Sequence, residues 1–241
     1  MSDADPIINA ATFAPVPQFD PRRVAVVKVD DDLPAVDASR LNAGALRARF
    51  ASPPEWEPEV RLEPRVGGRS LAAAAVLIPI VQRAEPMLLL TERTTNLSNH
   101  SGQVAFPGGR VDPGDADIAF TAMREAQEEV GLSARYIEVL GHLPTYTTVT
   151  SFVVTPVVAL VRPGFELTLN PHEVAHAFEV PLRFLMDPAH HRRHRVEADE
   201  PEGRGQRREW FSMPFHDGQR EHFIWGATAG MLRNLYRFLI A

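Results

Sequence analysis

Apolar and polar positions along this chain follow two periods, one of strands and one of helices. Residues 71–82 are almost continuously apolar, and 86–92 repeat that character after the polar Arg83-Ala84-Glu85, which predicts two strands joined by a turn. Two more strands are predicted over 136–143 and 152–162, bracketing a Thr- and Tyr-rich loop at 144–151. A further strand at 174–180 leads into a short helix at 181–186 that a proline opens. Residues 190–196 and 208–213 suit a hairpin across a charged loop, with the Arg and His residues of 190–195 as solvated charges on an exposed strand.

Helical spacing occurs three times. Leu41, Ala45, Leu46 and Phe50 recur within 37–50, with Asp37 or Ser39 available as cap. Within 117–130, Ile118, Ala119, Ala122, Met123 and Ala126 form a face for burial, and Gly131 is placed to stop the helix in a left-handed conformation. Residues 225–239 close the chain with Leu232, Leu235, Tyr236 and Leu239 on one side. There Gly226-Ala227-Thr228-Ala229-Gly230 reads as close helix packing, since Arg233, Asn234 and Arg237 exclude a bilayer span. Upstream lie a Pro-rich arm over 1–22, a short strand at 23–29 ended by Asp30-Asp31-Asp32 as a solvated turn, and a linker over 52–64. The organisation predicted is an extension over 1–69, available for an oligomer contact such as a homodimer, packed on a main domain over 70–241. The fold class is α/β, a mixed sheet between helices.

Composition narrows the function. A net charge of −6 argues against general nucleic-acid binding, and it obliges a polyanionic ligand to find local cations. With no cysteine, thiolate catalysis and cysteine-held zinc are excluded. MSDADP lacks the parts of a signal peptide, and the apolar run 71–81 is too short to span a bilayer and contains Pro79; a cytoplasmic protein without a membrane partner is the default expectation.

The candidate chemistry lies in GGRVDPGDADIAFTAMREAQEEVGL, residues 108–132. On a helix Glu125, Glu128 and Glu129 fall on one face, where three carboxylates repel one another. A hard divalent cation, Mg²⁺ or Mn²⁺, relieves that repulsion and takes carboxylate oxygen. Arg124 through Leu132, REAQEEVGL, resembles the second half of the Nudix hydrolase signature G-x5-E-x7-R-E-U-x-E-E-x-G-U, where U is aliphatic. Counting back from Arg124 puts Ala116 at the acidic position and Arg110 at the glycine; Asp115 and Gly109 each stand one residue earlier, so the box is one residue longer. That expansion is similar to the coenzyme A pyrophosphatase branch. So is the upstream segment Leu89-Leu90-Thr91-Glu92-Arg93-Thr94, Ser98, and His100 through Gly109, HSGQVAFPGG, although Thr94 replaces a serine and Ser98 stands where an arginine is usual.

The resemblance extends over about residues 70 to 240 and implies a Nudix α/β/α sandwich that hydrolyses a diphosphate linked to a nucleoside. It implies Glu125 and Glu129 as ligands of a divalent metal and Glu128 on a second ion or a metal-bound water. Arg124 would orient a glutamate, braced by Asp115 or Asp117, with Glu125 or Glu173 as general base. Arg93, His100 and Gln103, with the backbone of Gly108 and Gly109, would bind a coenzyme A-like nucleotide. Other Nudix substrates (nucleotide sugars, dinucleoside polyphosphates, NADH) and a non-catalytic nucleotide-binding domain are the alternatives.

Overall fold

The computed structural model describes residues 20–63, 70–94, 102–197 and 207–241. Its centre is β2 (Ala72–Val81), which pairs in parallel with β8 (Phe152–Val161) from Ala72↔Phe152 to Val81↔Val161. On its other edge β2 is shared by two antiparallel neighbours. The short β5 (Gly108–Arg110) lies along Ala74–Val76, and β3 (Met87–Arg93) joins only at Ile80 and Val81. Pro79 falls between them, where the missing N–H costs the ladder least. Antiparallel β9 (Val174–Pro181) and β4 (Val104–Ala105) flank β3, while β6 (Ile137–His142) and β7 (Tyr146–Thr147) flank β8.

The apolar run that predicts β2 is continuous because both faces are covered. Ala75, Leu77 and Val81 point to one side, where they pack on Ala122, Ala126 and Val130 of α2 (Ile118–Val130). Ala74, Ile78 and Ile80 point to the other, into a core built with Leu232, Leu235, Tyr236 and Leu239 of α4 (Gly226–Ile240) and Leu46 of α1 (Ala43–Ala51). The result is the expected mixed sheet between helices. Asp117 caps α2 by accepting from the Phe120 N–H, and Gly131 ends it at φ 72°, as predicted. In α4, a Cβ on Gly230 would stand 2.7 Å from the Tyr146 hydroxyl, so the small residues there serve close packing.

Several local expectations are corrected. The cap of α1 is Asn42, whose side chain accepts from the Ala45 N–H; Asp37 caps a preceding 3-10 turn at Ala38–Arg40 instead. The hairpin of β10 (Arg192–Glu197) and β11 (Arg207–His216) forms, but it belongs to a second, four-stranded antiparallel sheet. β1 (Val26–Val29) pairs with β10 on one side, and β12 (Glu221–Trp225), which the pattern does not announce, pairs with β11 on the other. After β9, α3 (Leu182–Leu185) follows Pro181 as predicted.

The charges of this second layer are not all solvated. Asp30 is fully buried, with Arg193 Nε at 2.8 Å and Arg233 Nη2 at 3.1 Å. Buried Arg233 also donates to Glu59 at 2.7 Å and to His191 Nδ1 at 3.1 Å, so the His191 Nε2–H donates to the Leu185 carbonyl at 2.8 Å. Burial works against the Asp30 charge, but Arg193, Arg233 and Lys28 outweigh it and hold the carboxyl below its usual range. The acidic triplet and the Arg/His run are thus tied together at Asp30 and Arg193, while Arg192 and Arg195 face solvent.

Burial lowers His191 from 6.5 to about 4. Between those two values the unfolded chain binds a proton that the folded chain refuses. Stability is therefore expected to be full above the unfolded value and to fall as acid passes through the folded one. Thermal midpoints measured against pH should show that slope, and His191→Gln should flatten it; an unchanged slope would remove His191 as its source.

Candidate active site

The site is assembled where β3, β5 and the end of α2 meet. Gly108 and Gly109 are required there by crowding. A Cβ on Gly108 would lie 2.4 Å from the Ala75 carbonyl oxygen, and one on Gly109 would lie 2.5 Å from the Glu125 carboxyl group. The space freed at Gly109 is filled by Glu125 itself, so this glycine seats a carboxylate as well as leaving the backbone approachable.

Arg124 organises the acidic helix. It donates to Asp115 from Nε and Nη2, both at 2.9 Å, to the Arg110 carbonyl at 3.0 Å, to Glu125 at 2.8 Å and to Glu128 at 3.2 Å. Asp115, not Asp117, is therefore the brace. Asp115 also accepts from the Thr121 hydroxyl and the Asp112 N–H, and Arg124 foremost holds its carboxyl well below the usual range. Thr121 is a contributor that the sequence pattern does not single out.

The three glutamates separate in role. Glu128 is mostly exposed and turned to Arg124. Glu125 is half-buried, and burial raises its pKa despite Arg124, with Glu128 and Glu173 adding repulsion. Glu129 is 3% exposed, accepts from the Gly108 N–H at 3.3 Å, and has Arg93 Nη1 at 3.9 Å. Burial pushes it up to about 8, with Arg93 and Gly108 opposing and Glu173 and Glu125 reinforcing the shift. Glu173 reaches the group because the Thr94 N–H at the end of β3 donates to its carbonyl at 3.0 Å. Among the described residues, no three carboxylate or imidazole groups converge as a ready ligand cage. Glu129 is repelled by Glu173 and Glu125, and Glu125 by Glu128 and Glu173.

Of the residues expected to bind substrate, Arg93 and Gln103 are joined by the Arg93 N–H to Gln103 carbonyl bond at 3.1 Å; the Arg93 guanidinium faces Glu129, whereas the Gln103 side-chain amide lies toward Gly226, 3.8 Å from where a Cβ there would stand. His100 and Ser98 lie outside the described residues.

The NUDIX domain profile matches residues 71–219. The chain belongs to the Nudix hydrolase family. A nucleoside diphosphate derivative is accordingly the class of substrate of this Nudix hydrolase. The uncharacterized Nudix hydrolase NudL of Citrobacter koseri is 45% identical over 177 residues, covering 72% of this chain and 87% of its own. NudL of Salmonella heidelberg is 40% identical over 203 residues, covering 83% and 96%. Among solved structures, a C. elegans Ap4A hydrolase binary complex overlaps at 24% identity over 45% of this chain and 80% of its own, with a TM-score of 0.40. No helix among the described residues is long and apolar enough to cross a membrane.

Proposed function

We propose that this Nudix hydrolase cleaves the diphosphate of coenzyme A or its acyl derivatives, giving adenosine 3',5'-bisphosphate and 4'-phosphopantetheine or its acylated form. Water attacks one phosphorus, the bridging P–O bond breaks, and the proton released must go to a base. The observation that carries the hydrolytic reading is Glu129: a buried carboxylate that burial pushes up to about 8, repelled by Glu173 and Glu125 and, among the described residues, answered by Arg93 and the Gly108 N–H. Such a group is poised for a cation.

The donor set fits Mg²⁺ or Mn²⁺ in type, since it offers hard carboxylate oxygens in excess of local positive charge. Glu125 and Glu129 would hold the ion, with Glu128 released from Arg124 as a further donor. A bound ion supplies neutralisation of the diphosphate and makes a water easier to deprotonate. Glu173 is the stronger candidate for base, because Glu125 is already held by Arg124, whereas Glu173 has no ion pair among the described residues. Arg93 and Gln103 would orient the nucleotide. The coenzyme A assignment rests on the resemblance upstream of the glycine pair.

Incubation with coenzyme A and Mn²⁺, followed by chromatography, tests the assignment. The two named products are expected. Intact coenzyme A beside brisk cleavage of a nucleotide sugar or a dinucleoside polyphosphate would discard the branch and keep the hydrolase.

A further inference from the structure

We propose that Thr94 and Asn170 are positioning residues, which hold Glu173 in register with Glu129 through a turn fastened to the end of α2. The inference deepens the hydrolase reading above, in which Glu173 takes the proton of the attacking water, and it rests on that reading. It starts from the carbonyls at the end of α2. The last four carbonyls of a helix have no partner within it. The Gly131 N–H answers that of Gln127 at 3.0 Å. Those of Glu129 and Val130 are met from a distant part of the chain. The Asn170 N–H donates to Glu129 at 2.8 Å, and the Thr168 N–H donates to Val130 at 2.9 Å. A Cβ on Gly131 would stand 2.9 Å from the Thr168 nitrogen, so this glycine admits the crossing segment as well as ending the helix.

That segment, residues 163–170, belongs to no strand or helix. It is held by alternation: Phe165, Leu167 and Leu169 pack on the core that α2 covers, while Thr168 and Asn170 give their N–H groups to the helix. Asn170 is then the pivot of a tight turn. Its side-chain oxygen accepts from the His172 N–H at 3.1 Å, and its carbonyl accepts from Glu173 at 3.1 Å and Val174 at 2.9 Å. An asparagine bonded in this way fixes the residues that follow it. From the other side comes Thr94, only 7% exposed. Its hydroxyl donates to the His172 carbonyl at 3.2 Å, and its N–H donates to the Glu173 carbonyl at 3.0 Å.

Both anchors lead back to the acids of the site. Asn170 is tied to the backbone of Glu129, and Thr94 follows Arg93, whose guanidinium faces the Glu129 carboxylate. Glu173 repels Glu125 and Glu129, so a loosely held turn would relax away from them. The two side-chain bonds oppose that drift. Both close on His172, the residue before Glu173, so removing either lets the turn yield where the acid is carried. A catalytic group displaced by about 1 Å loses on the order of a hundredfold in rate, and a partial loosening loses less.

The test is a double-mutant cycle on turnover by the full chain of coenzyme A with Mn²⁺, or of a dinucleoside polyphosphate if coenzyme A is spared. Thr94→Val keeps the shape and loses the donor; Asn170→Ala loses the acceptor. Each is expected to lower kcat by about tenfold with KM little changed. Thr94→Ser and Asn170→Ser, which supply a hydroxyl, should recover much of the rate. In a Glu173→Gln background neither Thr94→Val nor Asn170→Ala should lower kcat further, because the group they position is gone. Melting curves check the fold, and the two substitutions lie on different segments, so either cycle suffices. Normal kcat in the single variants, or losses that multiply with that of Glu173→Gln, overturn the inference and leave the base in place. Normal kcat in Glu173→Gln removes the base and the inference with it. Cleavage of the dinucleoside polyphosphate alone removes the coenzyme A assignment, and the cycle on that substrate then decides the inference.

Discussion

Glu129→Gln is expected to lower turnover by at least about two orders of magnitude while the protein still folds, the scale on which a charge-stabilising group is lost. Glutamine keeps the shape and can still accept from the Gly108 N–H. What it removes is ionisation at a position where burial resists it. Glu129 has its pKa raised to about 8 in the folded state against 4.5 for the free group, so above the lower value its ionisation weakens the fold and the loss grows until the higher value is passed. The variant should therefore melt no lower than the wild type at neutral pH, and higher in the absence of divalent ions. Turnover near normal would take Glu129 out of the reaction. A large drop in melting temperature would mean that the charged form is structural.

Arg124→Ala is expected to cost at least about tenfold in kcat/KM and to lower the melting temperature by several degrees. One guanidinium here satisfies Asp115, Glu125, Glu128 and a backbone carbonyl, and its loss leaves three carboxylates facing one another with no cation between them. Two companion variants separate bracing from helix capping. Asp115→Asn should reproduce much of the catalytic loss, because it weakens the hold on Arg124. Asp117→Asn should leave turnover unchanged, because asparagine caps a helix as well as aspartate does. The reverse ranking would assign the brace to Asp117 against the distances.

Much of this molecule was legible before folding. β2, β3, β6, β8 and β9 read directly from apolar runs, and α2 and α4 from spacing of 3.6, because each depends on neighbours within a few positions. The acidic helix, its glycine stop and the resemblance around it lie in a short stretch for the same reason. Even Gly108 and Gly109 were legible as positions of close approach, although what approaches Gly109 turned out to be Glu125.

The tertiary structure decided which distant groups meet. Asp115 and Asp117 are equivalent in sequence, yet the turn entering α2 gives one to Arg124 and the other to the Phe120 N–H. Glu173 looks like a surface acid until the end of β3 pairs with its backbone and brings it to Glu125 and Glu129. Asp30, Glu59, Arg193 and Arg233 are charged residues at widely separated positions, and no period announces that they share a buried cluster. The cost of burying a charge is met only when its partner arrives from another part of the chain. Composition and spacing thus determined which elements form and which chemistry is carried, and chain crossing alone settled which acids are neutralised and which remain in need of a cation.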